Sequence, residues 1–491
     1  MKILSSNLNQ ADFANRHVAR GTIQLMLGRT SFFTFGYFVA IVLARGLGPV
    51  EYGVYGIILS VLVWVEQIGR FGVPEAITKL IPEDERRARQ VENTGQTILL
   101  IGFLFLFVLS WIAAPMLADI FQISKGTNLF RLAIIDIPVS GIYFAYQGVL
   151  TGRRNFSALS GGLAVYGLTK LVGIVIVWFL GLSIFWALIV NILGTVGALL
   201  FLATRVGFKG FRLSCAHMRS ILGLAFPVGL CFMAAQVLSN LDLWSLKVLG
   251  SEAGEIVGNY VAALNVARVP ALVFAVVNGV VLPSISMALA QQNAPLARHY
   301  VQGAGRFLWV TLLPSCVLIA LTAEDLMVFL FSSHYAAGAS FLVLQVFGFA
   351  LFGVAHVFSE MLIARGNAYL TAGATLSHIP VALFLNFILI PHFGAIGASA
   401  ALTLTAFVRA TVIGHLVFKR LGPLIETATF AKVILATALM ALASTQIIVA
   451  GSWLLMKYSL LLGLYGLALA FMGELTWDDL KPFALWRVKR A

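Results

Sequence analysis

The sequence predicts an all-α protein that crosses a membrane about fourteen times, as two six-helix lobes followed by a terminal helix pair. Three observations carry this. Of 491 residues, 60% are hydrophobic and 11% charged, with a mean hydropathy of +0.94. Soluble domains carry about 25% charged residues and need them to face water. The apolar residues gather into runs of about 20, the length that crosses hydrocarbon as a helix. Finally, the basic residues alternate in density from one side of these runs to the other.

In chain order, a short N-terminal segment (1–21) precedes a first lobe over 22–203. Its spans lie near 22–44, 53–80, 97–118, 130–151, 159–180 and 182–203. The first run begins at Thr22, is long enough to span and lacks a small-residue cleavage site, so it reads as a retained helix. A basic connection over 204–219 holds Arg205, Lys209, Arg212 and Arg219. The second lobe, 220–418, has spans near 220–247, 257–287, 305–331, 338–364, 370–391 and 395–418. A final pair near 429–450 and 453–473 leads into a basic tail over 474–491.

Of the 33 Lys and Arg, 22 fall on one side of this arrangement, five on the other and six inside spans. By the positive-inside rule both termini of this multi-pass protein are cytoplasmic. The net charge of +13 comes from basic residues scattered singly between apolar runs. That pattern fits membrane orientation and not nucleic acid. Cys215, Cys231 and Cys316 are far apart, which argues against a disulfide framework and a zinc site.

An internal repeat organises the chain. Leu43-Ala-Arg-Gly-Leu-Gly-Pro-Val-Glu-Tyr-Gly-Val-Tyr55 is echoed by Leu246-Lys-Val-Leu-Gly-Ser-Glu-Ala-Gly-Glu-Ile-Val-Gly-Asn-Tyr260. Both read Leu-Gly, a short polar connection, then Gly-x-Tyr opening the next run. Gly48 and Gly250 suit a helix end with positive φ. Tyr146–Phe156 and Ser359–Tyr369 form a second pair of related basic, Gly-containing turns.

Charges inside spans cost about 2.5–3.5 kcal/mol each at mid-membrane and are kept where they face a wet cavity or one another. The basic set is Arg29, Arg70, Lys170, Arg268 and Arg409, with Lys79 at an edge; the acidic set is Glu66, Glu75, Asp136, Asp242 and Glu360. Arg29, Arg268 and Arg409 suit a diphosphate or other anion, with snorkelling to an interface as the competing reading. Arg70 and Lys170 join them as cavity cations. Glu66 and Arg70, four apart, would face each other on one helix as a self-neutralising pair. Asp242 stands beside Ser239 and Asn240 and is the first candidate for ion coupling, with Glu66 and Glu360 as others. Structural pairing with Lys247 or Arg268 is the alternative for Asp242. His356 and His378 could titrate in such a step. Asn265, Asn278, Asn386, Gln147, Gln236 and Gln345 offer hydrogen bonds to sugars or, more commonly, to other helices. Pro74, Pro138, Pro227, Pro270 and Pro380 permit bends.

Catalytic and nucleotide-binding signatures are missing: Gly162-Leu-Ala-Val-Tyr-Gly167 runs into Leu-Thr-Lys170 inside a span and breaks the P-loop order. The chain reads as a transporter without cofactor or metal. Loops too short to hold an active site disfavour a membrane-embedded polymerase or glycosyltransferase.

Leu43–Tyr55, Asp242 with Leu249-Gly250 and Val257-Gly-Asn-Tyr260, Gly152-Arg-Arg-Asn-Phe156, and Gly473-Glu-Leu-Thr-Trp-Asp-Asp-Leu480 together resemble the Wzx-type oligosaccharide flippases of the multidrug/oligosaccharidyl-lipid/polysaccharide (MOP) exporter superfamily. The resemblance implies MATE-like lobes around a central cavity. It also implies transfer of an undecaprenyl-diphosphate-linked oligosaccharide across the cytoplasmic membrane by alternating access, coupled to an ion gradient. Its partners would be that polyprenyl-diphosphate-linked oligosaccharide, the lipid bilayer, a polysaccharide polymerase and a chain-length regulator. A lipid II flippase is the nearest rival, and a drug/cation antiporter the next.

Overall fold

Hydrocarbon offers a backbone no water, so each apolar run satisfies its N–H and C=O groups internally, as helix. The computed structural model describes residues 2–83, 88–181, 183–206, 214–250, 254–271, 291–449 and 451–475, with isolated positions between 273 and 288. Side chains are given for most of these from Gln24 on. The connection at 207–213, the turn at 251–253, the tail from 476, and Arg86, Arg87 and Asn278 lie outside the described residues.

The first part of the chain forms α1 (Lys2–Arg70), α2 (Val73–Glu83), α3 (Ala88–Ile120), α4 (Gly126–Ile134), α5 (Asp136–Gly152), α6 (Phe156–Phe179), α7 (Ile184–Val206), α8 (Cys215–Leu238) and α9 (Leu241–Leu249). There follow α10 (Gly254–Ala267), α11 (Ala294–Leu321), α12 (Ala323–Leu330), α13 (Gly338–Ala364), α14 (Ala368–Leu421), α15 (Thr427–Gln446) and α16 (Trp453–Phe471). No strand occurs among the described residues.

Eleven stretches are long and apolar enough to cross a membrane, and two of them, at 59 and 53 residues, are double length. Each doubled stretch breaks at a glycine. Gly48 takes φ 71 and ψ 171 within α1, and Gly394 takes φ 54 and ψ −133 within α14. A side chain would strain either conformation, which is why a glycine stands at both points. Beyond Gly394 the chain reverses, because Arg420 at the end of α14 reaches Asn367 at its start. With these breaks, and the partly described stretch after α10, the architecture is that of about fourteen helices.

Four spans expected to be continuous are interrupted. The run near 53–80 breaks at Phe71–Gly72, 130–151 at Ile135, 220–247 at Ser239–Asn240, and 305–331 at Thr322. Pro74 and Pro138 stand in the first turns after two of these breaks, where a missing N–H costs little. At the other two, hydroxyls close the helix: Ser239 Oγ donates to the Ala235 carbonyl at 2.8 Å, and Thr322 Oγ1 to that of Leu318 at 2.8 Å.

The chain forms two compact units, Met1–Val248 and Leu249–Ala491. In the first, α6 packs between α1 and α7, and α5 against α2, α3 and α7. Helix α8 joins this unit, although it follows the basic connection. In the second, α13 packs on α14 and α10, and a buried cluster including Phe274, Leu308, Val354, Phe358, Ile413 and Val417 forms its centre. The terminal pair docks on α11 through Leu318, Val433, Met440, Leu461 and Leu469. Tyr465 donates to the Val310 carbonyl at 2.8 Å, and Tyr458 shares a 2.6 Å hydrogen bond with Thr322. Large apolar side chains such as Ile112, Phe179, Phe387 and Phe471 are exposed, as a lipid-facing surface requires.

Candidate functional site

Two groups of buried and half-buried polar side chains stand out, one in each unit. In the second unit, Gln345, Phe349, Phe352, His356 and Glu360 recur every three or four residues along α13 and so share one face. Two arginines lie on this face. The Arg268 guanidinium, just past α10, sits 5.0 Å from the Phe349 ring centroid. That of Arg409, on α14 and buried, sits 5.5 Å from Phe352. The two rings are themselves 6.5 Å apart. Ring contact is worth about 2 kcal/mol when desolvated, which lowers the cost of holding a guanidinium in hydrocarbon. It leaves the positive charge in place. Farther along the face, His356 Nε2 and Glu360 Oε1 are 3.2 Å apart, and Gln345 Nε2 reaches Ser399 Oγ at 3.4 Å.

In the first unit a chain of hydrogen bonds joins α5, α6 and α7. Lys170 Nζ donates to Asn191 Oδ1 at 2.6 Å and to the Tyr166 hydroxyl at 3.2 Å. Asn191 Nδ2 then donates to Asp136 Oδ2 at 2.8 Å, and Thr195 Oγ1 donates to the same oxygen at 3.1 Å. Asp136 opens α5, where the positive end of the helix favours a carboxylate. Its other oxygen, Oδ1, is buried without a hydrogen bond.

The remaining expected residues divide as follows. Arg70 pairs with Glu75 at 3.2 Å, across the break at Phe71–Gly72, and lies 4.6 Å from the Phe144 ring centroid. The expected self-neutralising pair of Glu66 with Arg70 is therefore replaced: Glu66 accepts from Ser140 Oγ at 2.6 Å. The spacing along one helix did not decide the pairing because the helix ends at Arg70 and turns Glu75 back toward it. Asp242 is buried in the first turn of α9, after buried Asn240. Trp244 holds α9 to α1 by donating to Ser60 Oγ at 2.8 Å, with Trp64 edge-on to Trp244. Arg29 is exposed on α1. The structure thus brings Arg268 and Arg409 to one helix face, with Glu360 farther along it, and binds Lys170 into a network with Asp136. Asn191, Thr195 and Tyr166 were not singled out from sequence. Asn191 and Thr195 meet Asp136 from a distant part of the chain, which leaves no spacing signal, whereas Tyr166 stands four residues before Lys170, a spacing that the sequence did offer.

The chain is 23% identical over 445 residues to Stage V sporulation protein B of Bacillus subtilis (strain 168), covering 82% of this chain and 83% of that one. Its fold is similar to that of the lipid II flippase MurJ in an inward closed conformation. The TM-score is 0.78 at 15% identity, over 92% of this chain and 98% of the other. An inward-facing multidrug resistance MATE family transporter of the MOP superfamily gives 0.68 at 17% identity, over 79% and 94%. Residues 18–289, more than half of the chain, match the family described as polysaccharide biosynthesis protein. This multi-pass membrane chain therefore belongs to the polysaccharide biosynthesis protein family, with a fold shared by those two transporters.

Proposed function

We propose that the protein flips a polyprenyl-diphosphate-linked oligosaccharide from the cytoplasmic to the outer leaflet of the inner membrane, for polysaccharide assembly. The observation that supports this reading is the placing of Arg268 and Arg409 on neighbouring rings of one α13 face. A guanidinium beside a ring keeps its positive charge, and its fork matches phosphate oxygens. Taking a diphosphate through hydrocarbon is costly, and fixed cations lower that cost. A cationic site of this kind disfavours a cationic drug as cargo. Arg29, exposed on α1, is a further candidate contact for the diphosphate in this reading.

Transport is secondary and ion-coupled in this proposal, with buried Asp242 as the coupling carboxylate. A carboxylate that alternates between wet and closed surroundings takes up and releases a proton as it does so.

Reconstituted vesicles test both parts together. Arg268→Ala and Arg409→Ala should each lower transport of undecaprenyl-diphosphate-linked sugar at least about tenfold, with partial rescue by Lys, which keeps a point charge without the fork. Asp242→Asn should still bind substrate but lose the response to an imposed pH gradient. Unchanged transport by both Ala variants rules out the anion assignment. A full gradient response by Asp242→Asn rules out that residue as the coupling group. Running lipid II in parallel distinguishes the oligosaccharide reading from its rival, since both cargoes carry a polyprenyl diphosphate.

A further inference from the structure

Two turns at corresponding places in the two units are built alike. The amides of Arg153, Arg154 and Asn155 return to the carbonyls of Val149, Thr151 and Leu150; those of Arg365, Gly366 and Asn367 return to Met361, Ile363 and Leu362. The middle residue is left-handed in both, at φ 56 for Arg154 and φ 87 for Gly366.

What surrounds the two turns differs. Arg153 makes a bidentate contact with Glu92, with its Nε 2.5 Å from Oε1. Its charge is neutralised on the spot. Asn155 caps the next helix by accepting from the Ala158 amide at 3.2 Å. Arg365 instead donates to the main-chain carbonyl of Arg420, and Arg420 donates to Asn367 Oδ1, so that Asn367 leaves its own helix uncapped. The Arg298 side chain lies 3.5 Å from where a Cβ on Gly422 would stand. Lys419 adjoins. These four cations are exposed, and none is paired with a carboxylate among the described residues. The negative end of α14 carries about half a charge. It can balance one of the four at most.

The flanks of this cluster are apolar and open. Tyr369 is 71% exposed, Leu370 37% and Phe418 56%. Aromatic and aliphatic side chains next to clustered arginines are what the boundary between lipid headgroups and hydrocarbon selects. A soluble anion would gain nothing from them.

The geometry points to a binding site for an anionic phospholipid headgroup at this end of the second unit, formed by Arg365, Arg420, Arg298 and Lys419. The phosphate lies against the arginine pair, and the acyl chains pass over Tyr369 and Phe418. In the first unit the corresponding arginine is already taken by Glu92.

Native mass spectrometry of the detergent-purified full chain tests this with phosphatidylglycerol, phosphatidylcholine and inorganic pyrophosphate as probes. The expected result is phosphatidylglycerol binding at least about tenfold tighter than phosphatidylcholine. The double variant Arg365→Gln/Arg420→Gln should weaken phosphatidylglycerol binding about thirtyfold, at about 1 kcal/mol per cation. Arg154→Gln, which removes an exposed cation from the first turn, should leave it unchanged. Should the double variant not be recovered folded, the two single substitutions are measured separately, each expected to weaken binding about threefold to fivefold. Equal affinity for the two lipids overturns the proposal. So does wild-type affinity in the arginine variants, or an equal loss in Arg154→Gln. Displacement of the lipid by millimolar pyrophosphate would reassign the site to a soluble or cargo diphosphate.

Discussion

Lys170 and Asp136 are tied together by one amide: Asn191 accepts from the ammonium with Oδ1 and donates to the carboxylate with Nδ2. Removing the bridge takes one hydrogen bond from each charge and leaves Lys170 to Tyr166 and Asp136 to Thr195, a loss of about 1.5–3 kcal/mol per charged hydrogen bond. Asn191→Leu should therefore lower the thermal unfolding temperature of the purified protein sharply. Replacing both charges together, as Lys170→Met/Asp136→Leu, should return stability most of the way to wild type. If the double variant is as unstable as Asn191→Leu, the network is not a closed pair. The same comparison separates stability from transport: a stable double variant that no longer transports would assign these charges to the transport cycle. At this scale the sequence showed which spans carry charges, and it showed little of how they pair. Glu66 and Arg70 were read as partners from their spacing. The helix end at Arg70 gives the arginine to Glu75 and leaves Glu66 to Ser140.

Proline marks the interruptions only in part, since Pro227 and Pro380 lie inside unbroken helix. Pro74, Pro138 and Pro270 each stand within three residues after a break or an irregular turn. The breaks at Ser239 and Thr322 carry no proline. A serine or threonine that bonds back to the fourth preceding carbonyl ends those helices, and it looks no different in sequence from one inside a continuous helix. The terminal pair is anchored by a contact that sequence did not reveal. Glu474, just past α16, takes hydrogen bonds from Arg306 Nε at 3.0 Å, Thr429 at 2.9 Å and Lys432 at 3.1 Å. Burial alone would raise its carboxyl, and these donors outweigh that and hold it below the ordinary range. A depressed carboxyl stabilises the fold above its unfolded value and loses that contribution as pH falls through its folded value. Stability should accordingly fall on acidification below the ordinary carboxylate range, and Glu474→Gln should flatten that part of the profile. A melting-temperature series across pH 3–6 in one detergent checks it, and an identical profile in the variant would rule out the anchor.

For the molecule as a whole, the basic residues predict orientation: 22 on one side against five on the other. Reporter fusions at Lys209 and at the C-terminus should both report the cytoplasm, and one at Gly254 the outer side; a periplasmic C-terminus would rule out fourteen crossings. The number of helices and the related turns at Arg153–Asn155 and Arg365–Asn367 were legible because both rest on local composition. The partition into units at Val248 was less so. Helix α8 follows the basic connection yet packs with the first unit, where a Cβ on Gly229 would come 2.6 Å from the Phe71 backbone. Such close fits are a matter of side-chain shape and leave no trace in hydropathy. The reversal at Gly394 bears on biogenesis. Between Arg365 and Arg409 no Lys, Arg, Asp or Glu occurs, and the turn at Gly394 offers the translocation machinery no polar linker to hold outside the bilayer. The cations that dictate topology stand only at the base, Arg365 on one arm and Lys419 and Arg420 on the other. The two arms are accordingly expected to partition from the ribosome into lipid as a single hairpin, with neither crossing settled before the other has been synthesised.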